Sequence, residues 1–175
     1  MRQLLFISFA VIFLSAGTMQ QKEDTNAKIK VVFINNFTKY IEWPADYKEG
    51  KFTITVIGGI SNSVFLELTK MAEVKKSATN QAFEIKSVTG SGSITRTHIV
   101  FVPAESSGQL NDVIGKVKGN STLIVTERPG LAKQGSIINF IVKDNRQKFE
   151  LNNNNAKKYS LKVSSNLSDL AILVE

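Results

Sequence analysis

Residues 52–65 read Phe-Thr-Ile-Thr-Val-Ile-Gly-Gly-Ile-Ser-Asn-Ser-Val-Phe, and this stretch decides the fold. Phe52, Ile54 and Val56 alternate with Thr53 and Thr55, which is the period of a strand. Gly58-Gly59 then turns the chain. Ser61 or Asn62 can accept hydrogen bonds from the free N–H groups that open a helix. Val64, Phe65, Leu68, Met71 and Ala72 follow at helical spacing. A strand that turns through glycine into an amphipathic helix is the first half of an α/β unit.

The pattern extends in both directions. Upstream, Ile29, Val32, Phe33, Phe37, Tyr40 and Ile41 recur at steps of three and four and predict a helix from Ala27 with these residues as its buried stripe. Pro44 ends that helix, because the residue before a proline is pushed out of the α region; Trp43 therefore stands at its exit. Downstream, Phe83 and Ile85 predict a short strand and Gly90-Ser91-Gly92 a turn. Ile99–Val102 and Leu123–Val125 are unbroken apolar runs, as expected of strands covered on both faces. Leu110, Val113, Ile114 and Val117 place a helix between them. Residues 137–142 and 148–151 flank Asp144-Asn145, the signature of a hairpin. Asn152–Asn155 can cap a helical tail, whose last apolar patch is Leu167, Leu170 and Ala171. The expectation is one α/β domain over residues 27–175: a mixed β-sheet covered by helices, with a C-terminal antiparallel hairpin and a terminal helix.

The N-terminus reads as an address. Arg2 precedes an apolar run from Leu4 to Leu14, broken only by Ser8, and Ser15-Ala16-Gly17 supplies small residues for a signal peptidase. The run is too short for a bilayer core, which takes ~20 residues. Residues 1–17 are thus expected to be a cleaved signal peptide, residues 18–26 a flexible polar segment, and the mature protein to be exported to the periplasm.

Composition narrows the chemistry. The chain has 175 residues and a net charge of +7. The basic residues are scattered, with no run longer than a pair and no interleaved aromatics, so a nucleic-acid platform is not indicated. There is no cysteine, which excludes disulfides and thiol redox chemistry. The one histidine, His98, precedes an apolar strand and reads as a satisfied residue at a strand edge; no Gly-x-Ser-x-Gly elbow accompanies it. No spacing of ligands suits a metal cluster, and no cofactor is expected. Two features remain as candidate ligand-binding positions. Gly58-Gly59 can be a tight turn or can hold an anion at a helix start, and Glu127-Arg128 lies just past a strand end, where α/β domains hold ligands. Trp43, the only tryptophan, reads as a core plug or as a partner-binding anchor.

One stretch carries a resemblance. Phe33-Ile34-Asn35-Asn36-Phe37-Thr38-Lys39-Tyr40-Ile41-Glu42-Trp43-Pro44 resembles the opening of the YfiR-like family of periplasmic proteins, whose aromatic-rich first helix ends in Trp-Pro. Phe52–Gly58, His98–Pro103, Leu123–Thr126, Gly135–Phe140, Phe149–Asn152 and Val163–Leu167 with Leu170-Ala171 continue the likeness, so that it spans about residues 28–174. The resemblance implies a regulatory binding protein that restrains an inner-membrane signalling protein through its periplasmic part. In the namesake that protein is a diguanylate cyclase, which links the family to cyclic di-GMP and biofilm. This chain departs from the namesake in lacking its cysteines, and it has Gln134-Gly135 where the family has Gly-Gly. Three readings stand at this point: a non-enzymatic regulator of that kind, with a homodimer compatible; a periplasmic small-molecule binder with its pocket near Gly58 and Arg128; and a cofactor-free enzyme.

Overall fold

The computed structural model describes residues 24–175. The expected signal peptide and the start of the 18–26 segment lie outside the described residues. Asp24 caps the first helix, its carboxylate accepting from the N–H groups of Asn26 (3.0 Å) and Ala27 (3.2 Å). The end of the segment expected to be flexible is therefore a cap and the beginning of a helix.

In chain order the elements are α1 (Thr25–Tyr40), β1 (Ile41–Glu42), β2 (Phe52–Ile57), α2 (Ser63–Val74), β3 (Phe83–Val88), β4 (Ile99–Val102), α3 (Leu110–Val117), β5 (Leu123–Thr126), β6 (Ile138–Lys143), β7 (Arg146–Leu151), α4 (Asn153–Lys158), β8 (Lys162–Val163), α5 (Ser165–Leu170) and β9 (Ile172–Leu173). Seven strands form one sheet in the order β3-β2-β4-β5-β6-β7-β9. The five strands from β3 to β6 are mutually parallel, and β7 runs antiparallel to β6. β1 and β8 pair separately as a two-strand ladder, Ile41 opposite Val163 and Glu42 opposite Lys162.

Local chemistry explains these choices. Asn62 caps α2, accepting from the N–H groups of Val64 (3.0 Å) and Phe65 (3.2 Å). Asp144 and Asn145 take φ of 53° and 57°, the left-handed pair that a two-residue hairpin needs. Asn152 caps α4 through the N–H of Asn155 (2.9 Å).

Two expectations are corrected. The buried face of α1 is Ala27, Val31, Ile34, Phe37 and Thr38, whereas Ile29 and Val32 face outward. The helix is apolar on both sides, and the seat offered by the β6–β7 hairpin selects the face: Phe37 packs on Phe140 and Phe149 at centroid distances of 6.0 and 5.3 Å. β2 is buried along its whole length; Thr55 Oγ1 donates to Thr97 Oγ1 (3.1 Å) and Thr53 Oγ1 to Glu84 (3.2 Å). The tail is not one helix but α4, β8, α5 and β9, because Ser160 takes φ of 55° and stops α4 after a turn and a half.

Candidate functional site

The parallel part of the sheet is doubly wound, and its connections change direction between β2 and β4. In such sheets ligands sit beyond the carboxyl ends of the strands at that point. Here the position is a polar hollow of about 560 Å³ whose wall includes Gly58, Gly59, Ser63 and Glu127. Gly58 holds φ of 123° and its N–H donates to the carbonyl of Val88 (2.8 Å), so the turn is fixed by the sheet itself. Glu127 is not a solvated loop residue. Its carboxylate accepts from Lys30 Nζ of α1 and from the N–H of Ala104 (2.9 Å). Asp24 crosses the same hollow, accepting from Ser63 Oγ (2.8 Å); that hydroxyl, more than the two backbone N–H groups, holds its carboxyl below the ordinary range. The structure thus brings Gly58, Gly59 and Glu127 together but leaves Arg128 out, its Nη1 donating to Ser107 Oγ (2.8 Å) on a neighbouring loop.

A second cleft, of about 380 Å³, opens at the other end of the sheet, below the amino ends of β2, β3 and β4. Its wall holds Tyr40, Trp43, Tyr47, Phe52 and His98, with Lys39, Lys48, Lys162 and Glu42 also lining it. Trp43 reaches the wall because α1 ends at Tyr40 and the β1–β8 ladder carries the chain across before Pro44 turns it. The indole is 5 % exposed and packs edge-on against Phe52 at 5.1 Å between centroids. Among the described residues, its Nε1–H is the one buried side-chain nitrogen or oxygen without a hydrogen-bond partner. Such a donor costs about 1–3 kcal/mol when left unmade.

His98 sits at the centre of this wall. It stacks on Phe52 (4.2 Å, 25° between planes) and meets the edges of Tyr47 and Trp43. Its Nδ1 accepts from the N–H of Thr53 (3.1 Å), and its Nε2 lies 2.7 Å from the carbonyl oxygen of Tyr47. A backbone N–H can only donate and a carbonyl can only accept, so the neutral imidazole protonated on Nε2 is the form that fits. Burial, followed by the nearby Arg96 cation, pushes its pKa below the ordinary histidine value, against the opposing pull of the Tyr47 carbonyl. The Tyr47 turn is anchored further by Gln81 Nε2, which donates to its carbonyl (3.1 Å), and by Arg96, 4.1 Å above its ring. Sequence reasoning singled out Trp43 and His98 separately. It missed Tyr47, Gln81 and Lys30, whose partners are distant in the chain.

Among the described residues no group of three or more His, Asp or Glu could hold a metal ion, and no helix is long and apolar enough to cross a membrane. The YfiR/HmsC-like family model matches residues 27–172. The chain belongs to the YfiR/HmsC-like family. Solved structures of similar fold include a conserved domain protein from Vibrio cholerae O1 biovar El Tor (8 % identity, TM-score 0.58, covering 85 % of this chain and 60 % of that one). Another is an ABC domain from Streptococcus pneumoniae in complex with L-Trp (12 % identity, TM-score 0.55, covering 85 % and 62 %). At these identities the likeness is one of fold, and this YfiR/HmsC-like chain spans only about three fifths of either structure. No curated protein matches the sequence.

Proposed function

We propose that this YfiR/HmsC-like protein is an exported, non-catalytic regulatory module that restrains an inner-membrane signalling protein, of diguanylate-cyclase type, by binding its periplasmic part. The family match over residues 27–172 carries the reading. The one imidazole near open space supports it: both ring nitrogens of His98 are engaged by backbone, which leaves no free base beside a nucleophile. Restraint works as a population shift, in which the module binds the inactive form of its partner more tightly than the active one. Moving such a switch from mostly on to mostly off takes a preference of ~10⁴-fold. The test is deletion of the gene followed by measurement of cellular cyclic di-GMP. Output rises, and the rise disappears when the membrane partner is also deleted; an unchanged output in the single deletion rejects the reading.

The small-molecule reading is favoured by a specific observation, but at the amino-end cleft and not at Gly58 and Arg128. The amino-end cleft has aromatic walls, an unpartnered indole donor and three lysines beside one glutamate. That chemistry suits a small molecule with a flat apolar ring and an anionic group, and its binding would set how tightly the module holds its partner. Calorimetric titration with indole-3-acetate and with benzoate, at neutral and at mildly acidic pH, tests it: heat of binding that is lost in Trp43→Phe supports the cleft, and silence with both at either pH rejects it.

A further inference from the structure

We infer that His98 is a proton-operated latch on the Trp43 cleft, released when Nδ1 takes up a proton. The inference rests on the amino-end cleft described above, and it concerns how that cleft opens.

The latch follows from the two bonds His98 makes. Thr53 N–H points at Nδ1, and the Tyr47 carbonyl accepts from Nε2–H. Protonation of Nδ1 sets one N–H against another at the Thr53 contact. The bond is lost and both donors are left buried, which is costly for a neutral group and more so for a charged one. The ring cannot relieve this by flipping, because the flipped imidazolium still presents an N–H to Thr53. It must leave its seat, and the open side of that seat is the cleft it lines. Leaving unstacks Phe52, removes a support from the Tyr47 turn, and frees one flank of Trp43.

The surroundings make the movement consequential. Nε1 of Trp43 is covered from solvent, so a ligand acceptor reaches it only if the wall moves, and His98 is the part of the wall that a proton can move. The released imidazolium adds a cation beside Lys39, Lys48 and Lys162, which strengthens the hold on an anion. The charged and titratable groups facing His98 come from several elements. Arg96 precedes it on its own segment, and Asp46 on the Tyr47 turn pairs with Arg96. Tyr47 itself meets the ring edge-on. Glu84 of β3 accepts from the Thr53 hydroxyl and pairs with Lys51 and Lys86. In the cleft, Glu42 of β1 pairs with Lys48 and with Lys162 of β8. Arg96 is the one whose charge opposes a charged His98 directly. The ordinary histidine value is about 6.5; with His98 held below it, the latch opens only on acidification.

The chain provides its own reporters, since it has one tryptophan and one histidine. The experiment titrates the ligand-free protein downward from neutral pH and follows Trp43 emission, the histidine ring proton resonances and far-ultraviolet circular dichroism. The expected result is one reversible change in Trp43 emission with its midpoint below about 6.5, tracking the histidine resonances while the circular dichroism stays constant. In His98→Gln, which can still accept from Thr53 and donate to Tyr47, that change is lost. The latch is overturned if His98→Gln keeps the same transition, if the histidine resonances titrate with no response from Trp43, or if emission and circular dichroism collapse together. Should His98→Gln fail to fold, the wild-type resonances and emission still decide the matter. No ligand is used, so a cleft that binds neither aromatic acid leaves this test intact, and a latch that fails leaves the calorimetry intact.

Discussion

The two ends of the sheet have been put to opposite uses. At the carboxyl ends, where doubly wound sheets usually hold ligands, the chain has filled the place with its own charges: Lys30 of α1 meets Glu127, and Asp24 meets Ser63. The hollow that remains is polar, and it is bound to the rest of the molecule by hydrogen bonds already made. At the amino ends the walls are aromatic, and the donor of Trp43 is unpartnered. The carboxyl end closes α1 onto the sheet, while the amino end keeps an unmade bond. Topology nominates the first site, and hydrogen-bond accounting nominates the second.

Mutations can break this contrast. Trp43→Ala removes a large buried ring and is expected to destabilise the protein by ~3–5 kcal/mol, read as a lower midpoint in urea unfolding. A loss below 1 kcal/mol would show that the cleft wall contributes little to the fold. Glu127→Gln strips the charge from a half-buried bond to Lys30 and should cost about 2 kcal/mol while leaving aromatic-acid binding at the far cleft unaltered. If binding changes as well, the two ends are not independent. The next is the most diagnostic. Trp43→Phe keeps an aromatic ring but deletes the unpartnered donor together with part of the indole's packing volume, so stability should fall by only ~1–2 kcal/mol while affinity for an anionic aromatic ligand falls. Unchanged affinity would mean that Nε1 plays no part in binding. Asp24→Ala removes the cap of α1 and its tie to Ser63, for about 1 kcal/mol, measured by thermal melting.

How far the sequence foretold this depends on how local the signal was. β4 and β5 were legible because Ile99–Val102 and Leu123–Val125 are apolar on both faces and can only be covered strands. The hairpin was legible, and the caps were narrowed to Ser61 or Asn62 and to the Asn152–Asn155 run, because each depends on residues next to one another; the structure uses Asn62 and Asn152. Of the stripe expected on α1, Phe33, Phe37, Tyr40 and Ile41 do meet the core; Ile29 and Val32 were misplaced because they are as apolar as Val31 and Ile34, and only the position of Phe140 and Phe149 chooses between them. β1, β8 and β9 are two residues each, shorter than any period can reveal. The amino-end cleft was out of reach for the same reason. It is assembled from four well-separated stretches, around residues 38–52, 78–81, 98 and 162–164, and no window along the chain contains it. Gly58 and Gly59 were named from their turn into a helix start and Glu127 from its place past a strand end, and the structure sets all three on one hollow; Arg128, adjacent in sequence, points elsewhere.

The β1–β8 ladder also dictates an order of assembly. Ile41 is among the first described residues to be made and Val163 among the last, yet they pair directly. α1 likewise waits for the β6–β7 hairpin before its aromatic face has a seat. During synthesis α1 therefore emerges without the surface that will receive it, and closure must wait until Val163 has been made. Such long-range closure is slow compared with local folding. A chain whose first helix stays unseated until Val163 arrives is one that an unfolded-state transport route can carry. It is also one in which trimming the final residues, from Lys162 onward, would undo the first turn after α1 and the floor of the Trp43 cleft before it disturbed the parallel core.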